Sequence, residues 1–170
     1  MPVRSHTVTN EFIRLAKADE RSLTPLQLIK LTYIAHGWML ALYQRPLIID
    51  RVEAWKYGPI IPDLYQLMKR YGADFVTDNL PGGNEVLSDE ERDIIQQVYR
   101  VYGHLNGIQL SQLTHQPGTP WHQTWNVGDQ NDVISNDLIA EHYRQMANER
   151  RGAADTPGLA TLLLPPSFSV

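Results

Sequence analysis

Apolar positions recur every three to four residues through most of the chain, and this spacing predicts a mainly α-helical domain. Val8, Phe12, Leu15 and Ala16 place a first helix over residues 8–18, with Asn10, Glu11, Arg14 and Lys17 on its other side. The second helix has a different pattern. From Leu28 to Tyr43 nearly every position is apolar, small or aromatic, as expected of a helix buried on all sides. Thr24 is suited to cap it, Pro25 to its first position, and Gln27 to complete a capping box, while Leu23 and Leu28 sit where a hydrophobic staple packs. Gly37 in its interior costs about 1 kcal/mol relative to alanine, so a close approach by a neighbouring backbone is expected there.

Pro46 stops the helix. Residues 47–49 and 52–55 are β-prone runs around Asp50-Arg51 and predict a small hairpin over about 47–55. Gly58-Pro59 and Pro62 punctuate the next stretch, after which Leu64, Tyr65, Leu67, Met68 and Tyr71 return to helical spacing. Residues 72–87 read as loop. Ser88 and Glu91 form a second capping box, ahead of a helix whose apolar face runs from Ile94 to Leu105. A short helix over 108–115 is broken at Gln116–Pro120, and 121–125 reads as a single turn capped by Thr119. Ser135 caps the last helix, which carries Leu138, Ile139, His142, Tyr143 and Met146 and ends near 150–152. The expected architecture is one helical domain of about six helices over residues 1–152, with a small hairpin. Residues 153–170, with Pro157, Pro165 and Pro166 and no periodicity, are expected to form a flexible or loosely docked tail. Leu159, Leu162, Leu163, Leu164 and Phe168 make that tail unusually apolar.

Composition narrows the function classes. The 170 residues suit one domain with a proper core, and the net charge of −4 supplies no global field for binding a phosphate backbone. The absence of cysteine removes disulfides, thiolate nucleophiles and cysteine-based zinc sites together. No apolar run reaches the ~20 residues of a membrane span, and the N-terminus has no signal-peptide pattern, so a soluble cytoplasmic protein is expected.

Catalytic chemistry finds little support. No serine lies in a G-x-S-x-G elbow, and neither a P-loop nor a G-x-G-x-x-G turn occurs. His115, His122 and His142, with Asp129 or Asp132, could be assembled into a metal site, but their spacing matches no ligand motif and structural roles account for them more simply. Glu53 and Asp63 could form a carboxylate pair, although an acid beside Pro62 is also what a helix start favours. Lys56, Lys69 and Arg70, with Arg144, Arg150 and Arg151, are the basic residues a nucleic-acid surface would use; on an acidic chain they read as ordinary solvated surface. No cofactor is implied. The aromatics Trp55, Tyr57, Tyr65, Trp121 and Trp125 stand beside Gly and Pro in irregular segments, and such anchors on a stiff frame suit protein recognition.

Two ordered motifs sharpen this. K-L-x-Y-x-A-H-G spans Lys30, Leu31, Tyr33, Ala35, His36 and Gly37; E-A-W-K-Y-G-P-x-x-P-x-L-Y spans Glu53, Ala54, Trp55, Gly58, Pro59, Pro62, Leu64 and Tyr65. Leu110, Leu113, Thr114 and His115, then Pro120-Trp121, add a third segment. Together the chain resembles the Panacea domain family, the SocA-like and GepA-like antitoxin proteins of bacteria and phages, over about residues 8–146. The resemblance implies a non-enzymatic, type II antitoxin that neutralises a cognate protein toxin by direct binding. It also implies an alternative, a proteolytic adaptor that delivers the toxin to a AAA+ protease such as ClpXP. Some members carry an added DNA-binding domain; with only about seven residues before the first helix, none is expected here, and DNA binding is disfavoured. On this reading Trp55, Tyr57, Gly58, Pro59 and Tyr65, with Leu162 and Phe168 of the tail, contact the partner. Lys30, Tyr33, His36, Gly37, Glu53, Pro62, Leu64, His115 and Trp121 serve as the structural residues of the motifs.

Overall fold

The computed structural model describes residues 1–128, 131–153 and Leu163. Among them, seven α-helices and one two-stranded hairpin follow in the order α1 (Ser5–Ala18), α2 (Pro25–Tyr43), β1 (Glu53–Trp55), β2 (Gly58–Ile60), α3 (Pro62–Met68), α4 (Asp89–Tyr102), α5 (Gly107–Thr114), α6 (Pro120–Val127) and α7 (Asn136–Ala153). A single 3-10 turn, Lys69–Tyr71, extends α3. No helix of the described residues is long and apolar enough to cross a membrane.

Helix α2 is the axis. Every residue from Leu28 to Leu40 is buried, and α1, α4, α5 and α7 pack around it, α7 most extensively. Its start is fixed locally: Thr24 Oγ1 accepts from the Gln27 N–H, and Gln27 Oε1 accepts from the Thr24 N–H at 2.9 Å. Gln44, in the left-handed conformation at φ 57°, closes it just before Pro46. Ser88 and Glu91 form the same reciprocal pair at α4. Thr119 caps α6, and Ser135 Oγ accepts from Leu138 N at the start of α7. A third capping box, Asn106 with Gln109, starts α5 and went unread in the sequence. Helix α1 begins three residues earlier than its apolar pattern suggested, and α6 extends to eight residues instead of a single turn.

The hairpin forms further along the chain than expected. Residues 53–55 pair with 58–60 in the register Glu53↔Ile60, Ala54↔Pro59, Trp55↔Gly58, so Lys56-Tyr57 is the two-residue turn. Leu47 and Ile49 are drawn elsewhere, because they exchange backbone hydrogen bonds with Val3 at 3.0 and 2.9 Å. Asp50, read as a turn residue, instead accepts the Ser5 N–H at 2.6 Å and satisfies the first turn of α1. The outer edge of β1 is also occupied: Ala54 N donates to Asp132 O, Asn131 N to Ala54 O and Ile134 N to Val52 O.

Gly37 meets a side chain, not a backbone. A Cβ there would collide with the Tyr143 ring, and that ring is held edge-on against Trp38 and Tyr33 at centroid distances of 5.0 and 6.3 Å. Gly37→Ala is therefore expected to lower unfolding stability by about 1–2 kcal/mol, overpacking outweighing a propensity gain of about 1 kcal/mol. Urea melts of the two proteins measure this, and an alanine variant as stable as the parent contradicts it.

Candidate partner-binding site

The α2 motif residues face inward, each holding a neighbouring segment. Lys30 is fully buried; its Nζ donates to Pro59 O at 2.8 Å, and burial lowers its pKa to about 7. Tyr33 lies in the aromatic cluster with Tyr143, and burial pushes its phenol well above the ordinary range. His36 Nδ1 accepts from the Leu47 and Ile48 N–H groups at 3.3 and 3.4 Å. These bonds assign the proton to Nε2, which donates to Asn136 Oδ1 at 3.0 Å. Burial lowers the His36 pKa to about 4, against the opposing hydrogen bond to Asn136. One imidazole thus ties the segment after α2 to the start of α7.

The second motif builds the hairpin and its surroundings. Glu53 pairs with Arg51 and accepts from Trp55 Nε1 at 3.0 Å. Trp121 Nε1 donates to Trp55 O. Pro62 starts α3 and Leu64 anchors it in the core. Gly58 takes φ +119°, and a Cβ on it would come within 2.7 Å of Lys30 Nζ, which is why this position is glycine. Gly58 and Pro59 are buried and present no side-chain surface, so of the five frame residues expected to contact a partner, Trp55, Tyr57 and Tyr65 are the ones that face outward.

These three share a groove. Trp55 and Tyr65 meet edge-to-face at 5.0 Å, and Tyr57 stands 70% exposed at the turn. With Leu26, Ile108 and Trp125 they line an apolar depression of about 910 Å³. Behind it Trp121 stacks on Trp125 at 5.6 Å and meets His115 edge-on at 5.1 Å. Leu26 and Ile108 were not singled out from the sequence. The Asn106-x-x-Gln109 box could have found Ile108: it fixes the start of α5, and Leu110 and Leu113 then define the buried face that Ile108 lies off. Leu162 and Phe168 lie outside the described residues; their neighbour Leu163 is buried in the core.

The alternative chemistries are dispersed. His115 Nδ1 donates to Ser111 O at 2.6 Å, His122 Nδ1 accepts from Gly118 N at 3.1 Å, and His142 lies edge-on to Tyr143 at 5.0 Å. Among the described residues no three His, Cys, Asp or Glu side chains are placed to hold a metal ion; Asp129 lies outside them. Glu53 and Asp63 do not pair. Asp63 acts instead on Asp50, whose carboxyl is pushed up by burial and further by Asp63, against the Ser5 N–H. Of the basic residues, Lys56 lies over the Tyr57 ring, Arg70 over Tyr71 and Arg150 over Trp38, which leaves them in separate places.

Comparison with known proteins agrees with the motifs. The family described as "Antitoxin SocA-like, Panacea domain" matches residues 28–122, which run from α2 to α6 and include both motifs and Trp121. Antitoxin SocA of Caulobacter vibrioides (strain NA1000 / CB15N) is 32% identical over 144 residues, covering 79% of this chain and 71% of its own length. No solved structure gives a significant match. Supported over more than half of its length, the chain belongs to the SocA-like, Panacea-domain antitoxin family.

Proposed function

We propose that this protein is the antitoxin of a type II toxin–antitoxin pair and that it neutralises a protein toxin by binding it at the hairpin groove. The observation that carries this reading is the groove itself: exposed Tyr57, Tyr65 and Ile108 around half-buried Trp55 and Trp125, in a chain of an antitoxin family. Single exposed apolar side chains need no explanation, but a clustered set on a fixed frame suits a partner interface. The frame is stiff because Lys30, Trp121 and residues 131–134 take up the hairpin's backbone groups. Side chains held this way lose little freedom on binding, so more of the contact energy appears as affinity. Neutralisation by occupancy asks for no catalytic group.

Co-expression with the product of the neighbouring gene is the direct test. Growth arrest by that product alone, relieved by this protein, is expected; a harmless neighbour, or arrest that persists, refutes the reading. Tyr57→Ala should leave stability within about 0.5 kcal/mol of the parent, because the ring is mostly in water. It should weaken toxin binding tenfold or more, about 1.4 kcal/mol. Calorimetric titration and a thermal melt of the same variant separate the two effects. Toxin that disappears faster when this protein and a AAA+ protease are both present would mark a proteolytic adaptor; stoichiometric inhibition without loss of toxin would not.

A further inference from the structure

The groove combines an apolar lining with one-sided charge. Among the described residues its lining includes no Asp or Glu, and Lys56 is its sole Lys or Arg, although the chain as a whole carries a net charge of −4. Lys56 lies 5.4 Å from the centroid of the Tyr57 ring and makes no ion pair among the described residues. The ion pairs among the described residues are made by Arg14, Arg45 and Arg51, which leaves the Lys56 ammonium available at the groove. Among the described residues the groove therefore presents one ammonium and no carboxylate, on an acidic protein.

The hairpin also restricts how a partner can be held. An added strand needs free backbone N–H and C=O groups along an edge. The outer edge of β1 is already bonded to residues 131–134, and β2 is buried, with Pro59 O committed to Lys30. Recognition is left to side chains. A volume of about 910 Å³ lies toward the top of the ~300–1,000 Å³ range of ligand pockets, so it takes several side chains of a short segment and not one isolated ring.

We infer that the groove's occupant is a short toxin segment with large apolar anchors flanked by a carboxylate that meets Lys56. The inference rests on the toxin-binding reading above and adds the chemistry of the segment to it. The apolar anchors fill the space between the Trp55–Tyr65 pair and Ile108. The carboxylate meets an ammonium that has no competing ion pair among the described residues, beside an aromatic face that keeps water from one side of it. Such a rim pair chiefly sets orientation and association rate, and it is screened by salt.

The probe is the purified product of the neighbouring gene, titrated into the full-length chain at low and high salt. Lys56→Glu is expected to weaken binding at least tenfold at low salt and to flatten its salt dependence. Lys17→Glu on α1, with the same change of charge away from the groove, should bind as the parent does. Reversing the acidic residue of the toxin segment that becomes protected from hydrogen exchange should restore binding to Lys56→Glu. Position 56 is an exposed turn residue, so matching thermal melts will show that both variants fold. Equal affinity of Lys56→Glu and parent, while Ile108→Ser loses binding, overturns the acidic occupant and leaves the groove in place. Equal losses in Lys56→Glu and Lys17→Glu reduce the effect to net charge and also overturn it. No binding by the parent chain overturns the toxin-binding reading, and this inference with it.

Discussion

Between pH 7 and 9.5 the protein is expected to gain about 3 kcal/mol of stability against urea, a gain that Lys30→Met should lack. The Lys30 ammonium is surrounded by protein and, among the described residues, donates to Pro59 O. Its pKa falls from 10.5 to about 7 because burial disfavours the charged form. At pH 7 the unfolded chain holds a full proton at this site and the folded chain only part of one. The unfolded state therefore binds more protons between these values, and stability must rise with pH until the unfolded lysine also titrates. Tyr33, Tyr102 and Tyr143 act in the opposite sense, since burial raises their phenols. They weigh only once unfolded tyrosine ionises, near pH 10, so the window ends below that point. Methionine keeps the unbranched stem but leaves Pro59 O without a donor, a cost of about 1–3 kcal/mol at every pH in the window. The slope is therefore the informative quantity. A flat parent profile would mean that water reaches Nζ and that the hairpin is held less firmly than this geometry implies.

His36→Ala is expected to cost about 3–5 kcal/mol at pH 7, among the largest effects of any single substitution in this chain. It removes the acceptor of two backbone N–H groups, at Leu47 and Ile48, and the donor to Asn136. It also opens a void beside α2. The parent should in addition lose about 3 kcal/mol as pH falls from 6.5 to 4, through this residue alone. The unfolded histidine takes up its proton below 6.5, whereas the folded one resists until about 4. Urea midpoints at pH 7 and 4.5 check both statements. The variant should start lower and decline less on acidification. A variant with the parent's acid slope would place that titration elsewhere.

Both residues belong to a motif that sequence reading could find but not interpret. Thr24, Ser88 and Thr119 were legible as caps because a cap is decided within one turn. The partners of Lys30 and His36 lie at Pro59, residues 47–48 and Asn136, and no local pattern joins them. The same limit explains the displaced hairpin. Residues 47–49 have the composition of a strand, but Val3 competes for their backbone, and Asp50 is recruited by the Ser5 N–H. Gly37 announced a close approach without saying whose; Tyr143 packs on it from a helix at the other end of the sequence. At the groove, Trp55, Tyr57 and Tyr65 could be picked out because aromatics beside Gly and Pro are hard to bury. Gly58 and Pro59 share that stretch, yet their place is beneath the surface. Leu26 and Ile108 are ordinary aliphatics in sequence and become a wall only when α2 and α5 pack.

The saturated backbone of the hairpin separates two burdens that most binding loops carry together. What holds its shape comes from Lys30, Trp121 and residues 131–134; what the groove beside it displays comes from Lys56 and Tyr57 of the hairpin turn, Tyr65 of α3 and Ile108 of α5. The second group can change with little tax on the first. A library diversified at those four positions should consist mostly of folded members, each offering a different socket on one chassis. Changes of target would then require few substitutions and no redesign of the helices beneath.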